Sequence, residues 1–154
     1  RVTGVQTCAL PIWMIDFINE SENSTYDGVL TDLDIIMQSM TGKEIELMFV
    51  DNEFMQNVNL EQRGIDAPTD VLSFPIEMPH SELIGTLLIS LDMAQNVAQA
   101  MNHSVEAEIK LLFIHGLLHL LGYDHETDEG QMRAEEEILI TEFKLPHSLI
   151  VRSL

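Results

Sequence analysis

The sequence predicts an α+β fold: one compact domain, with a mixed sheet of about four strands packed against helices around one central helix. Three observations predict it. Several short segments alternate apolar and polar residues, or are dense in β-branched and aromatic ones, as strands do. Longer segments between them repeat their apolar residues at spacings of three and four, as amphipathic helices do. One helical segment, 104 to 121, is apolar around most of its circumference, which places it inside the domain. A chain of 154 residues suffices for one domain with a real core and is short for two.

Taken in order, residues 13–19, WMIDFIN, read as a short strand. From Ser24 to Met40 the residues Tyr26, Val29, Leu30, Leu33, Ile36, Met37 and Met40 recur at helical spacing, with Ser24 as cap and Gly42 past the end. Residues 43–51, KEIELMFVD, alternate, with Ile45, Leu47 and Phe49 on one face of a half-buried strand. Asp51 or Asn52 caps a helix to about Arg63, with Phe54, Met55 and Val58 inward. GIDAPTD, 64–70, is a loop. VLSFPI, 71–76, is a strand that Pro75 ends or confines to a sheet edge. A turn at Pro79 to Glu82 leads to a strand over 83–91. Asp92 opens a helix to about Met101, and Ser104 opens another that runs to Leu121, where Gly122 suits the C′ position. Thr127 caps a last helix over 128–143, stopped by Pro146.

Residues 1–12, RVTGVQTCALPI, stand apart. They have no periodicity and lack the apolar run of a signal peptide. They resemble translated sequencing-adapter sequence, so the expectation is a non-native leader before a start at Met14, with a single domain over 13–154. The only cysteine, Cys8, lies in that leader, which excludes an internal disulfide framework and a cysteine-rich zinc site.

The charge is lopsided. Seven Lys and Arg face 26 Asp and Glu, for a net charge of −19. Such a surface repels nucleic acid and anionic membranes at long range. Any RNA binding must therefore come from a local feature. No apolar stretch approaches the ~20 residues of a membrane helix. The expectation is a cytoplasmic protein with neither membrane nor DNA as a partner.

Chemistry concentrates in HGLLHLLGYDH, residues 115–125. On a helix, positions i and i+4 share a face, so His115 and His119 present two imidazoles to one point. Gly122 ends the helix and lets His125 return to that point from a loop. Three neutral imidazoles around an open fourth position are the usual holder of a catalytic zinc, here one ion per chain. Nickel or another divalent ion suits the same ligands. Asp124 is either an acceptor that orients a ligand ring or a turn residue. The zinc-peptidase pattern His-Glu-x-x-His has its general base where this chain has Gly116. Glycine takes no proton, but it admits the close approach of a backbone or a bulky substrate. A metal that lowers the pKa of water toward ~7 removes the need for that carboxylate.

A second constellation lies upstream. Residues 59–75, NLEQRGIDAPTDVLSFP, set Asn59, Arg63, Thr69, Asp70 and Ser73 beside an apolar strand. Arg63 is either the cation for an anionic substrate group, which guanidinium can hold bidentately, or an ion-pair partner of Glu61 or Asp66.

The stretch from Arg63 through Thr69-Asp70-Val71-Leu72-Ser73-Phe74-Pro75, together with the later one from His115 to His125, resembles the YbeY endoribonuclease family of bacterial rRNA maturation factors. The resemblance runs from about Met14 to the C-terminus. It implies a zinc-hydrolase-like α+β domain with zinc on His115, His119 and His125 and a functional arginine at Arg63. Thr69, Asp70 and Ser73 also match. It implies single-strand-specific cleavage of RNA, in 3′-end maturation of small-subunit rRNA and in ribosome quality control. Its implied partners are single-stranded rRNA, the small ribosomal subunit and associated factors. Many members carry Gly-Asp-Ile where this chain has Gly85-Thr86-Leu87, so no carboxylate role carries over there. Two other readings fit the motifs: a metal-dependent hydrolase of another substrate such as a peptide, and a ribosome-associated binding factor with a structural zinc. Aromatic residues for base stacking are few; Tyr123 either serves there or packs the turn.

Overall fold

The computed structural model describes residues 13–147. The leader expected over 1–12 lies outside them. The chain runs β1 (Ile15–Asn19), a 3-10 turn (Asp27–Val29), α1 (Leu30–Met40), β2 (Glu44–Val50), α2 (Asn52–Arg63), β3 (Val71–Pro75), β4 (Leu83–Ser90), α3 (Leu91–Met101), α4 (Val105–Leu120) and α5 (Gln131–Phe143). The four strands form one sheet in the order β1-β2-β4-β3. β1 with β2 and β2 with β4 are parallel, and β3 with β4 is antiparallel. The mixed α+β sheet is the one the sequence predicts, and Pro75 sits on an edge strand, where its missing N–H costs no ladder bond.

Alternation along the strands sorts two cores. Ile45, Leu47 and Phe49 of β2 join Leu87 and Ile89 of β4 in the main core with α1, α3, α4 and α5. Val50, Leu72 and Leu88 join Met55 of α2 in a smaller core, flanked by Met48, Phe54, Val58 and Phe74. Helix α4 is the centre of the larger one: Ile109, Leu112, Phe113 and Leu117 are fully buried.

α4 meets the sheet at Gly116. A Cβ added there would fall 2.5 Å from Leu87 Cδ2, 3.1 Å from Val71 Cγ2 and 3.2 Å from Ser73 Oγ. Ser73 Oγ donates to the Gly116 carbonyl at 3.0 Å, pinning helix to strand. Glycine is thus used for backbone approach, and the room it creates is filled by β3 and β4.

Helix starts follow the short polar caps. Asp51 accepts from the Phe54 amide at 2.8 Å and Ser104 from the Ala107 amide at 3.0 Å. Three starts differ from the sequence reading. Ser24 caps nothing with its side chain, and a 3-10 turn precedes α1. Ser90, not Asp92, caps α3, accepting from the Met93 amide at 3.2 Å; the Asp92 carboxylate instead takes the Asn52 amide at 2.8 Å and ties α3 to α2. α5 begins at Gln131 rather than 128, because Gly130 at φ 102° breaks the helical path. Thr127 does not cap it. Gly130 holds the N-cap position, and Asp128 before it accepts from the amides of Gly130 at 2.8 Å and Met132 at 2.9 Å. Those two amides, Met132 first, hold the Asp128 carboxyl below its usual range.

Helix propensity alone favours alanine over glycine inside a helix. At Gly116 packing decides the sign, because the Leu87 side chain it would strike is itself fully buried. Gly116→Ala is expected to lower stability by about 1–3 kcal/mol, an overpacking cost, read by urea denaturation. A variant as stable as the parent, or more so, would show that α4 has room to move off the sheet.

Candidate metal centre

His115 and His119 occupy the last two turns of α4, and their ring centroids lie 4.8 Å apart. The helix then ends in a Schellman turn. Gly122 takes φ 102°, its amide donates to the His119 carbonyl at 3.0 Å, and the Tyr123 amide donates to the Leu118 carbonyl at 3.0 Å. The reversal brings the His125 ring to 5.2 Å from that of His115 and 5.5 Å from that of His119. One ligand nitrogen from each ring lies within 4.8 Å of the other two, and all three residues are half-buried.

The donor set fits a divalent metal. His115 Nδ1 lies 2.6 Å from Glu136 Oε2, and His119 Nδ1 lies 3.0 Å from the Tyr123 carbonyl oxygen. With each Nδ1 held by an acceptor, the proton belongs on Nδ1 and the Nε2 lone pair is left for the ion. His125 Nδ1 is buried with no hydrogen-bond partner among the described residues. No carboxylate or thiol among the described residues joins the group. A metal held by these three histidines alone would have fewer protein ligands than the four of a closed structural site.

Electrostatics favour the ligand form. Burial lowers the His119 pKa below its ordinary 6.5, and the neighbouring His115 and His125 add to that. The hydrogen bond to the Tyr123 carbonyl and the charge of Asp124 pull the other way. The net direction keeps His119 neutral, as metal binding requires.

The trio lines a cleft of about 990 Å³, with Asp70, residues 71–75 of β3, Arg63 of α2 and residues 122–125. Arg63 is the only Lys or Arg in that lining, and it makes no ion pair among the described residues. Asp66, one of its expected partners, is engaged by Gln56 Nε2 at 2.9 Å.

The other expected site residues divide. Asp70 and Ser73 line the cleft. Asp70 Oδ1 accepts from its neighbour Val71 N at 2.8 Å and from the Thr69 hydroxyl at 3.4 Å, which leaves Thr69 a supporting residue off the cleft. Asn59 is also off the cleft: it is buried beneath the 64–70 loop, where its Nδ2 donates to the Ala67 carbonyl at 2.8 Å. Asp124 is a turn residue, its carboxylate accepting from the Glu126 amide at 3.0 Å. It lines the cleft, but the groups that orient the rings are Glu136 and the Tyr123 carbonyl. Tyr123 thus contributes its backbone to the site.

Glu136 escaped the sequence reading. It lies within the run Glu135-Glu136-Glu137, which looks like a solvated face. The signal was its helical phase. Met132, Glu136 and Leu139 share the buried side of α5, and a carboxylate in a buried stripe needs a partner. Glu108, fully buried on α4, was missed likewise; it lines the cleft and pairs with His103 at 2.7 Å.

Residues 16–144 match the sequence profile of the family described as Endoribonuclease YbeY. The chain belongs to the YbeY endoribonuclease family. An endoribonuclease YbeY of Sulfurovum sp. is 52% identical over 143 residues, covering 88% of this chain and 97% of that relative. One from Wolinella succinogenes is 49% identical over 140 residues, covering 91% of this chain and 98% of the other. The solution structure of a Thermotoga maritima protein superposes with a TM-score of 0.59 at 26% identity, over 85% of this chain and 92% of that one. The motif around Arg63 and the histidine motif both fall inside the span matched to YbeY. No helix among the described residues is long and apolar enough to cross a membrane.

Two outcomes follow from the ring-orienting bonds. Glu136→Ala is expected to weaken metal binding about 10–100-fold in a chelator-competition titration, with its circular dichroism spectrum preserved. Unchanged affinity would show that packing alone aims His115. The His119 pKa is lower folded than unfolded, so between the folded value and the unfolded one the unfolded chain binds more protons and stability rises with pH. Metal-free protein is therefore expected to lose Tm as pH falls through 6.5, the unfolded value, with a shallower slope in His119→Asn. Equal slopes in the two proteins would contradict the assignment.

Proposed function

We propose that this chain is a zinc-dependent endoribonuclease specific for single-stranded RNA, comprising one domain over 13–154. Its work is 3′-end maturation of small-subunit rRNA and ribosome quality control, in the cytoplasm, with the small ribosomal subunit and its factors as partners. The observation that carries the reading is the convergence of three imidazoles on a cleft whose one Lys or Arg, Arg63, has no protein counter-ion among the described residues.

His115, His119 and His125 would hold the ion, with Glu136 and the Tyr123 carbonyl fixing two of the rings. Zinc bound there supplies Lewis acidity toward a phosphoryl oxygen and lowers the pKa of water toward ~7. Arg63 takes a phosphate oxygen pair and neutralises the charge that grows on it during transfer. In a chain of net charge −19, that single unpaired guanidinium is the local attraction an RNA strand needs in the cleft. The remaining affinity comes from the ribosome or its factors, since this surface repels free RNA.

A peptidase reading is disfavoured by the position of its base. The residue after the first histidine of α4 faces the sheet, where even a Cβ meets Leu87 at 2.5 Å. A glutamate there has no path to the metal.

His119→Ala is expected to lose both bound metal and cleavage of single-stranded RNA. Arg63→Ala is expected to keep the metal and lose roughly 10²-fold in rate, the usual cost of removing a charge-stabilising donor. Metal analysis beside an RNA-cleavage assay reads both. Full activity in Arg63→Ala would reduce that residue to a surface cation. A structural zinc would leave a metal-loaded protein that cleaves nothing.

A further inference from the structure

The cleft follows the open backbone edge of β3. β3 ends the strand order and pairs with β4 alone. Every residue from Asp70 to Pro75 lines the cleft. Side chains alternate between the faces of a sheet, so an unbroken run of lining residues means that the cleft borders the strand's edge rather than one face. Ser73, whose Oγ holds the Gly116 carbonyl, places the middle of that edge one residue from His115.

The ladder's parity tells which groups point outward. The Ser90 amide donates to the Asp70 carbonyl at 2.9 Å, and the Ile76 amide to the Ile84 carbonyl at 2.9 Å. Between them the register runs Val71↔Ile89 to Pro75↔Gly85 without a break. In an antiparallel ladder every second residue exchanges both bonds with its partner. Leu72 and Phe74 therefore bond to β4, and Val71, Ser73 and Pro75 turn their backbone groups to the cleft. The Val71 N–H is taken by Asp70 Oδ1 at 2.8 Å, and proline has no N–H. The edge thus offers the carbonyls of Val71, Ser73 and Pro75 and one donor, the Ser73 N–H.

An added peptide strand needs donors and acceptors in alternation along the edge, and two of the three outward positions lack the donor. A nucleobase fits better. The Watson–Crick edge of every base sets a donor beside an acceptor, and Ser73 offers an acceptor beside a donor. A base already paired has that edge occupied, whereas splayed bases present it.

We propose that the open edge of β3, centred on the Ser73 main-chain N–H and C=O, holds the Watson–Crick edge of a nucleobase beside the scissile phosphate. The enzyme then reads that a base is unpaired, not which base it is. This rests on the endoribonuclease reading above and gives its single-strand preference a physical origin.

The test compares two single-stranded RNAs on the zinc-loaded enzyme, oligouridine and its N3-methyluridine counterpart. Both keep the phosphodiester and the 2′-OH, and only the first keeps the Watson–Crick donor. The methylated strand is expected to show a kcat/KM about tenfold lower, the effect of losing one hydrogen bond and setting a methyl group against the Ser73 carbonyl. Equal rates overturn the edge proposal and leave the endoribonuclease reading intact. Cleavage of neither overturns that reading and the proposal with it. Ser73→Pro removes the one donor at a position where an edge strand tolerates proline. It is expected to keep its metal and to lower kcat/KM on oligouridine about tenfold, because a base carbonyl loses its donor, while Ser73→Ala, which keeps the N–H, does not. An unchanged oligouridine rate in a folded Ser73→Pro assigns the recognition elsewhere. Should that variant not fold, the comparison of the two RNAs decides alone.

Discussion

Helix α4 lies on the sheet at a separation set by Gly116, and the chemistry of the site depends on that contact. The closeness directs one side of the helix into Leu87, Val71 and Ser73. The histidine-bearing side is left to face the cleft, at the level of the β3 edge. A residue with a side chain at 116 would lift the helix and separate the imidazoles from Arg63 and from the strand. The same contact explains why the peptidase carboxylate is missing: its position is occupied by the sheet.

Around that contact, polar groups are paired so that a metal-binding geometry can sit next to a hydrophobic core. Burial disfavours protonated imidazole. It also makes an unpaired polar atom costly. Glu136 from α5 and the Tyr123 carbonyl from the Schellman turn meet two of the three Nδ1 atoms. A rigid tautomer follows, and with it a fixed direction for each lone pair. Arg63 is handled in the opposite way. Its neighbour Asp66 is engaged by Gln56, so the guanidinium stays available in a protein with few cations.

Much of this was legible in the sequence, where local rules dominate. β2 shows its two faces by strict alternation. Pro75 marked an edge strand, and the spacing of His115, His119 and Gly122 defined two ligands and a turn. What stayed hidden depends on long-range contact. No local pattern says that β4 inserts between β2 and β3, because strand order is set by crossovers. Asn59 looked like a cleft residue from its neighbours in sequence, but the 64–70 loop folds back over it and takes its amide. Glu136 looked like surface until α5 turned its Met132 side inward. The start of α5 was misplaced because a carboxylate at Asp128 and a left-handed Gly130 outweigh the weaker capping power of Thr127.

The central claim is that three imidazoles, two of them aimed by acceptors, hold one ion that the reaction requires. Its most direct measurement is a zinc titration of metal-free protein, followed by cleavage of single-stranded RNA. The account predicts no cleavage at the start and a linear rise that stops at one ion per chain. Cleavage at full rate before any zinc is added, or a rise unrelated to that stoichiometry, would contradict it.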